Sequence, residues 1–390
     1  MNCKYLLICC TAILYLLSSC VEPFELQGIK EKGGDLVVEG MIMETGTTIK
    51  LSRTVGLYDD ASNSSQNNLE NVYDANVQVI DDRNNIVAIA DPQFIDGKAS
   101  AVYAVSGEIT FTPGTKYALT IQIGEKHYQS AFVSPVRTPE IDEINWRKNT
   151  DGSMDIMVST HDPENKTKYY CWAFEEDWEI MSEVFGYFRY EQATREVIEQ
   201  SMFTSNNRYY CWASDKSKSI ILGTSDRLTE ATIKNKIINN FPTYNTRFSY
   251  LYSILVKQYG LDKDAYAYLE NLRKNIDSGG NLFSPIITEL KGNINCLSNP
   301  DEQVIGYIAA TNEVKTRIFI NMLDIGGADL YTCGVKLSLV EKQLVDLQTL
   351  GYGIETFLAG SYICAPIRCV DCTARGGTKN KPDFWPNDHQ

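Results

Sequence analysis

The feature that most restricts the fold is a series of short segments, between Asp35 and Thr138, in which apolar and polar residues alternate. Side chains on a strand point alternately to two faces, so this pattern lays apolar residues along one side of a sheet. Leu36-Val37-Val38-Glu39-Gly40-Met41-Ile42 reads as one strand, and residues 48–55, 75–80 and 86–90 read as others. Residues 81–85 form a turn in which Asn84-Asn85 tolerates positive φ, and Gly124-Glu125 joins residues 117–123 to 127–133 as a hairpin. About seven short strands at this spacing predict an immunoglobulin-like β-sandwich over residues 35–138. The Ser134-Pro135 to Thr138-Pro139 stretch is the expected boundary.

Residues 139–390 predict a second β-rich domain with inserted helices and a cysteine-containing C-terminal tail. Strands are expected at 141–147, 154–159, 168–178, from Tyr209, and at 247–259. Thr229 is placed to cap a helix whose apolar residues are Ile233, Ile237, Ile238 and Phe241. A second helix runs from Asp262 to Ile276, with Ala265, Leu269, Leu272 and Ile276 on one face. A further helix is expected near residues 341–350.

The N-terminus carries an address. Lys4 precedes an apolar run from Tyr5 to Leu17, the length of a signal-peptide core and too short to span a bilayer with ease. Leu17-Ser18-Ser19-Cys20 follows, with the form of a bacterial lipobox, in which the cysteine thiol takes a diacylglyceryl group. The alternative is an ordinary cleaved signal in which Cys20 is incidental. The lipobox reading gives a signal peptide at 1–19, a lipidated tether at 20–34 and attachment to the outer membrane through acylated Cys20. More than one acyl chain gives firm attachment.

A formal net charge of −14 opposes contact with polyanions, which excludes nucleic acid as the expected partner. The three histidines, His127, His161 and His389, share no metal-ligand spacing. There is no Gly-x-Ser-x-Gly elbow and no phosphate-cradling loop, so no cofactor is implied. Paired carboxylates can hydrolyse glycosides without histidine, and Glu175, Glu176, Asp177 and Glu179 are the candidates. The competing reading is a solvated acidic face.

Seven cysteines follow Cys20, an odd number, and an exported chain keeps disulfides. Cys369-x-x-Cys372 admits a redox dithiol, a zinc site or a structural disulfide involving one or both residues, and the last suits an exported protein best. Connectivity does not follow from spacing. Tyr169-Tyr170-Cys171-Trp172 recurs as Tyr209-Tyr210-Cys211-Trp212. Trp172, Trp178, Trp212, Tyr250 and Tyr252 form either an aromatic platform for a ligand or part of the core.

Several of these segments together resemble domain-of-unknown-function family 4249. The likeness is carried by Cys20 to Leu26, Leu36 to Ile42, Trp172 to Ile180, Cys211-Trp212 and Phe248 to Asp264. It continues through Gly292 to Cys296, Asn299-Pro300-Asp301-Glu302 and Ile305-Gly306-Tyr307. Cys369-Val370-Asp371-Cys372, Gly376-Gly377-Thr378 and Pro382 to Pro386 close it. The resemblance implies a lipoprotein of Bacteroidota-type bacteria, from a family whose members often lie near genes for TonB-dependent receptors, and it brings no catalytic residue. The expected function is therefore a non-enzymatic ligand-capture or interaction component beside such a transporter. A carboxylate-dependent envelope hydrolase and a purely structural or adhesive surface protein are the alternatives.

Overall fold

The computed structural model describes residues 34–54, 69–95, 97–202, 207–242, 245–278, 290–325 and 333–386. The expected signal peptide, Cys20 and nearly all of the expected tether lie outside them. The chain is mainly β. In the first strand, Leu36–Met43, Leu36, Val38 and Ile42 are buried while Glu39 is exposed, as alternation requires. Its neighbour, Thr48–Thr54, buries Ile49 and Leu51 against them. Each such side chain contributes roughly 1.5–3 kcal/mol on leaving water.

The sandwich expected over 35–138 takes the form of one eleven-stranded sheet, curled until nearly closed. Eight of its strands come from residues 36–130, and three come from much later: Ile294–Cys296, Val304–Ile305 and Ala310–Thr311. Ile294–Cys296 pairs with Lys126–Ser130 at one edge. The other two run parallel to Leu36–Met43. The two stretches separated at Thr138 in the sequence thus share a sheet. Ile294, Cys296, Val304 and Ile308 complete the core begun by Leu36, Tyr103 and Leu119.

Motifs that carry the family likeness hold this returning segment in place. Asn293 accepts the Ile308 N–H at 2.8 Å and donates to the Ile308 carbonyl at 2.9 Å. The Tyr128 hydroxyl donates to Glu302 at 2.7 Å, and Lys126 pairs with the same carboxylate at 2.6 Å. Gly306 has φ of 150°, and a Cβ there would lie 2.3 Å from the Val38 carbonyl oxygen. Only glycine permits that approach.

Beyond Thr138, a three-stranded sheet (Ile141–Lys148, Met154–His161, Thr232–Phe241) packs on a five-stranded one. The second sheet contains Tyr210–Lys216, Tyr169–Met181, Leu251–Leu261 and Glu313–Asn321, with Ile221–Thr224 on the first half of Tyr169–Met181. Ile156, Trp172, Tyr252 and Ile254 lie between them. The helix expected from Asp262 is present as Lys263–Ser278, and Asp262 caps it by accepting the Ala265 N–H at 2.7 Å. Ala265 and Tyr268 are buried, so one face of this helix is used within the fold, in a cluster that includes Met41 of the first sheet.

The helix expected after Thr229 is a strand, Thr232–Phe241. Its pairing with Met154–His161 shifts register twice, and Asn235 sits at φ of 50° beside one shift. Bulges insert extra residues, so Ile233, Ile238 and Phe241 all face inward at spacings that imitate a helical stripe. Near 341–350 the structure has two short turns of helix, Glu341–Asp346 and Leu347–Leu350.

A small C-terminal unit completes the molecule. The hairpin Phe188–Glu191/Glu196–Glu199 packs on a three-stranded sheet of Leu337–Leu339, Ser361–Pro366 and Tyr352–Leu358. Ala359-Gly360, both at positive φ, make the two-residue turn between the last two strands.

Candidate functional site

The Cys369-x-x-Cys372 pair does not close on itself. Cys369 bonds Cys333 and Cys372 bonds Cys211. Ile367–Val370 is one helical turn and Cys372–Arg375 another, and the extended Asp371 between them turns the two sulfurs to different neighbours. Cys369 lies with Val184 and Cys333, and Cys372 with Ile180 and Cys211. Gly377 is required beside the second bridge, because a Cβ there would lie 2.5 Å from Cys211 Cβ. Cys171, Cys296 and Cys364 remain thiols. Burial pushes the Cys171 thiol up to about 12 and that of Cys364 up to about 11, which keeps both protonated and inert.

The two bridges hold one wall of a cleft of about 510 Å³, a volume that suits a small ligand. Its other walls come from Phe188–Glu191, from Arg208 and from the Leu347 to Ile354 segment. Gly351 ends the short helix in the left-handed region, with φ of 71°. Gly353 lets the next strand approach the bridged wall, since a Cβ there would lie 2.5 Å from Val370. The cleft floor is set by Asp371, nearly fully buried. It pairs with Arg208, accepts the Thr373 N–H at 2.9 Å and accepts the Thr373 hydroxyl. The Cys372 N–H donates to the Arg208 carbonyl at 2.9 Å, tying the wall to the segment that leads into the strand Tyr210–Lys216. Arg189 also lines the cleft, with Nη2 3.4 Å from Glu191.

The five aromatic residues divide between both readings. Trp172, Trp212 and Tyr252 are core residues, at 1%, 6% and 0% exposure. Trp172 Nε1 donates to Gln258 at 2.8 Å. Trp178 and Tyr250 instead line a second cleft of about 350 Å³, with Arg247 and Arg375. Arg247 lies over the Trp178 ring at 4.4 Å, and burial pushes the Tyr250 hydroxyl up to about 12.

The acidic strand is not a solvated face. Glu175 pairs with Lys257, Glu176 with Arg247 and Asp177 with Arg317. Glu176 and Glu179 are each only 2% exposed. The strand sits between Tyr210–Lys216 and Leu251–Leu261, so cations from neighbouring segments reach across it. His161 Nδ1 contacts Asp142 at 2.7 Å on the exposed side of the three-stranded sheet. Among the described residues no cluster of three or more His, Cys, Asp or Glu could hold a metal.

Arg189, Arg208 and Asp371 are the polar side chains that sequence reasoning did not single out as a site. They come from three separated segments, and only Asp371 falls in a motif.

No curated protein matches the chain. Among solved structures, a tyrosine-to-glycine mutant of Salmonella alpha-2-macroglobulin aligns over 62% of this chain and 15% of its own, with 8% identity and a TM-score of 0.16. So low a score carries nothing about the fold. A family model described as a domain of unknown function (DUF4249) matches residues 21–317, and the motifs at 369–386 lie beyond that span. The match covers most of the sequence, and the chain belongs to the DUF4249 family.

Proposed function

We propose that this protein is an envelope lipoprotein, anchored in the outer membrane by acylated Cys20, that captures a ligand beside a TonB-dependent transporter. The observation that carries capture is the cleft whose wall is held by both disulfides. Binding costs less when the site is ordered beforehand, because fewer side chains and loops must be immobilised. The lipobox at Leu17 to Cys20 supports the anchor. The hydrolase alternative needs a carboxylate pair open to a glycoside. Glu175, Glu176 and Asp177 are instead engaged by Lys257, Arg247 and Arg317.

The test combines fractionation with crosslinking in intact cells. The parent chain should sediment with outer membranes, resist alkaline extraction and crosslink to an outer-membrane β-barrel transporter. Cys20→Ala should leave either an uncleaved precursor or a soluble envelope form, with crosslinking lost. If Cys20→Ala stays in the membrane as the parent does, the anchor is wrong. A parent chain that crosslinks to no transporter contradicts the partnership.

A further inference from the structure

One strand pair of the first sheet runs on past its neighbours. Ile86–Ile95 and Lys98–Val105 lie side by side, flanked by Ala75–Asp81 and Thr48–Thr54. Ala75–Asp81 follows the first only as far as Ala90, and Thr48–Thr54 follows the second only as far as Val102. Ser52 to Thr54 pair with Leu69–Asn71 instead. Among the described residues, Phe94 and Ile95 therefore pair with Ala99 and Lys98 alone, as a two-stranded arm. Phe94 is 69% exposed and Ile95 65%. Adjoining large apolar side chains left in water mark a contact with a protein or a membrane.

Direction decides between the two. Thr48–Thr54 runs antiparallel to Leu36–Met43 and to Lys98–Val105, so Leu36 and Lys98 lie toward the same end of the sheet. At that end the Asp35 carbonyl accepts the Thr54 N–H at 3.0 Å. The chain thus enters the fold at the end toward which the arm projects. Val21 to Gly34 alone separate Cys20 from Asp35, a reach of at most about 50 Å at full extension.

We propose that the arm enters the headgroup region of the membrane that holds acylated Cys20, with Phe94 and Ile95 seated against its lipids. The assignment rests on the lipid anchor and adds a second contact, which sets one end of the sheet against the bilayer. Once the acyl chains are inserted, contact by the arm is intramolecular. An apolar pair too small to hold a protein on lipid by itself then suffices. Phe94-Ile95-Asp96-Gly97-Lys98 mixes two large apolar residues with one charge of each sign, which suits a shallow, interfacial seat.

The test uses the acylated mature chain in vesicles of phosphatidylethanolamine with a minor share of phosphatidylglycerol. A benzophenone side chain is placed at position 94, or at position 86 as the control, and lipid adducts are measured by mass spectrometry after illumination. Ile86 is 57% exposed but sits at the other end of the same strand. The adduct at position 94 should exceed that at 86 by at least about tenfold. Adding Ile95→Asp should cut the adduct at 94 by at least about threefold, whereas adding Ile86→Asp should leave it unchanged. Both side chains are exposed, so neither substitution should move the urea midpoint. Equal adducts at 94 and 86, or an adduct indifferent to Ile95→Asp, overturn the arm contact and leave the anchor standing. So does a benzophenone at 94 that joins a protein and no lipid in intact cells, which makes the arm a protein interface. A chain that carries no acyl group overturns the anchor and the arm contact together.

Discussion

Cys372→Ser lowers the unfolding free energy by about 4–5 kcal/mol, more than the loss of the Cys333–Cys369 bridge does. Cys211 and Cys372 are 161 residues apart, whereas Cys333 and Cys369 are separated by 36. In the chain-entropy account, closing the longer loop removes more freedom from the unfolded chain, so Cys369→Ser costs less, about 3–4 kcal/mol. The first bridge also joins the C-terminal wall to Tyr210–Lys216, and its loss removes the support behind Asp371. Urea unfolding of the full chain measures both, as a shift in midpoint at constant slope. A Cys372→Ser variant within 1 kcal/mol of the parent contradicts the assigned pairing. So does a reversed order of the two effects.

The second large effect is at Arg247. Arg247→Ala should destabilise by about 3–5 kcal/mol, because it leaves a buried carboxylate without its cation. Glu176 is 2% exposed, and its remaining partner is the Tyr252 hydroxyl at 2.7 Å. The same substitution removes the guanidinium from the Trp178 ring. Asp215 loses Arg247 too, but it stays near solvent and keeps Lys218 at 3.1 Å. Most of the cost therefore comes from Glu176. The double variant Arg247→Met with Glu176→Leu should recover at least half of the loss, since no buried charge then lacks a partner. If Arg247→Ala unfolds at the parent's urea midpoint, the pair is not buried as described.

The alternating strands were legible because period two is a direct print of the pleat. Leu36, Val38 and Ile42 show it in sequence and in burial alike. The helix at Lys263–Ser278 was legible for the corresponding reason, with Asp262 as its cap. Thr232–Phe241 was misread because bulges at two points erase the alternation and substitute spacings of five and three. The return of Ile294–Cys296 and Val304–Ile305 to the first sheet is a pairing across well over a hundred residues. Local pattern says nothing of such distances. Cys369 and Cys372 were read as candidates for a disulfide involving one or both, and the extended Asp371 that parts them is a backbone property invisible in the spacing. The acidic strand misled for a different reason. Burial of Glu176 depends on Arg247, Tyr252 and Trp178 converging from two strands and a short helical turn. The cleft is of the same kind, assembled from residues near 190, 208, 350 and 370.

The intact mass of the chain extracted from membranes, alkylated after denaturation without reduction, tests the account most directly. The expected mass is that of a chain beginning at Cys20, acylated there, lacking the four hydrogens of two disulfides and carrying alkyl groups on Cys171, Cys296 and Cys364 alone. A chain whose Cys20 takes the alkylating reagent, or whose Cys369 and Cys372 do, contradicts it.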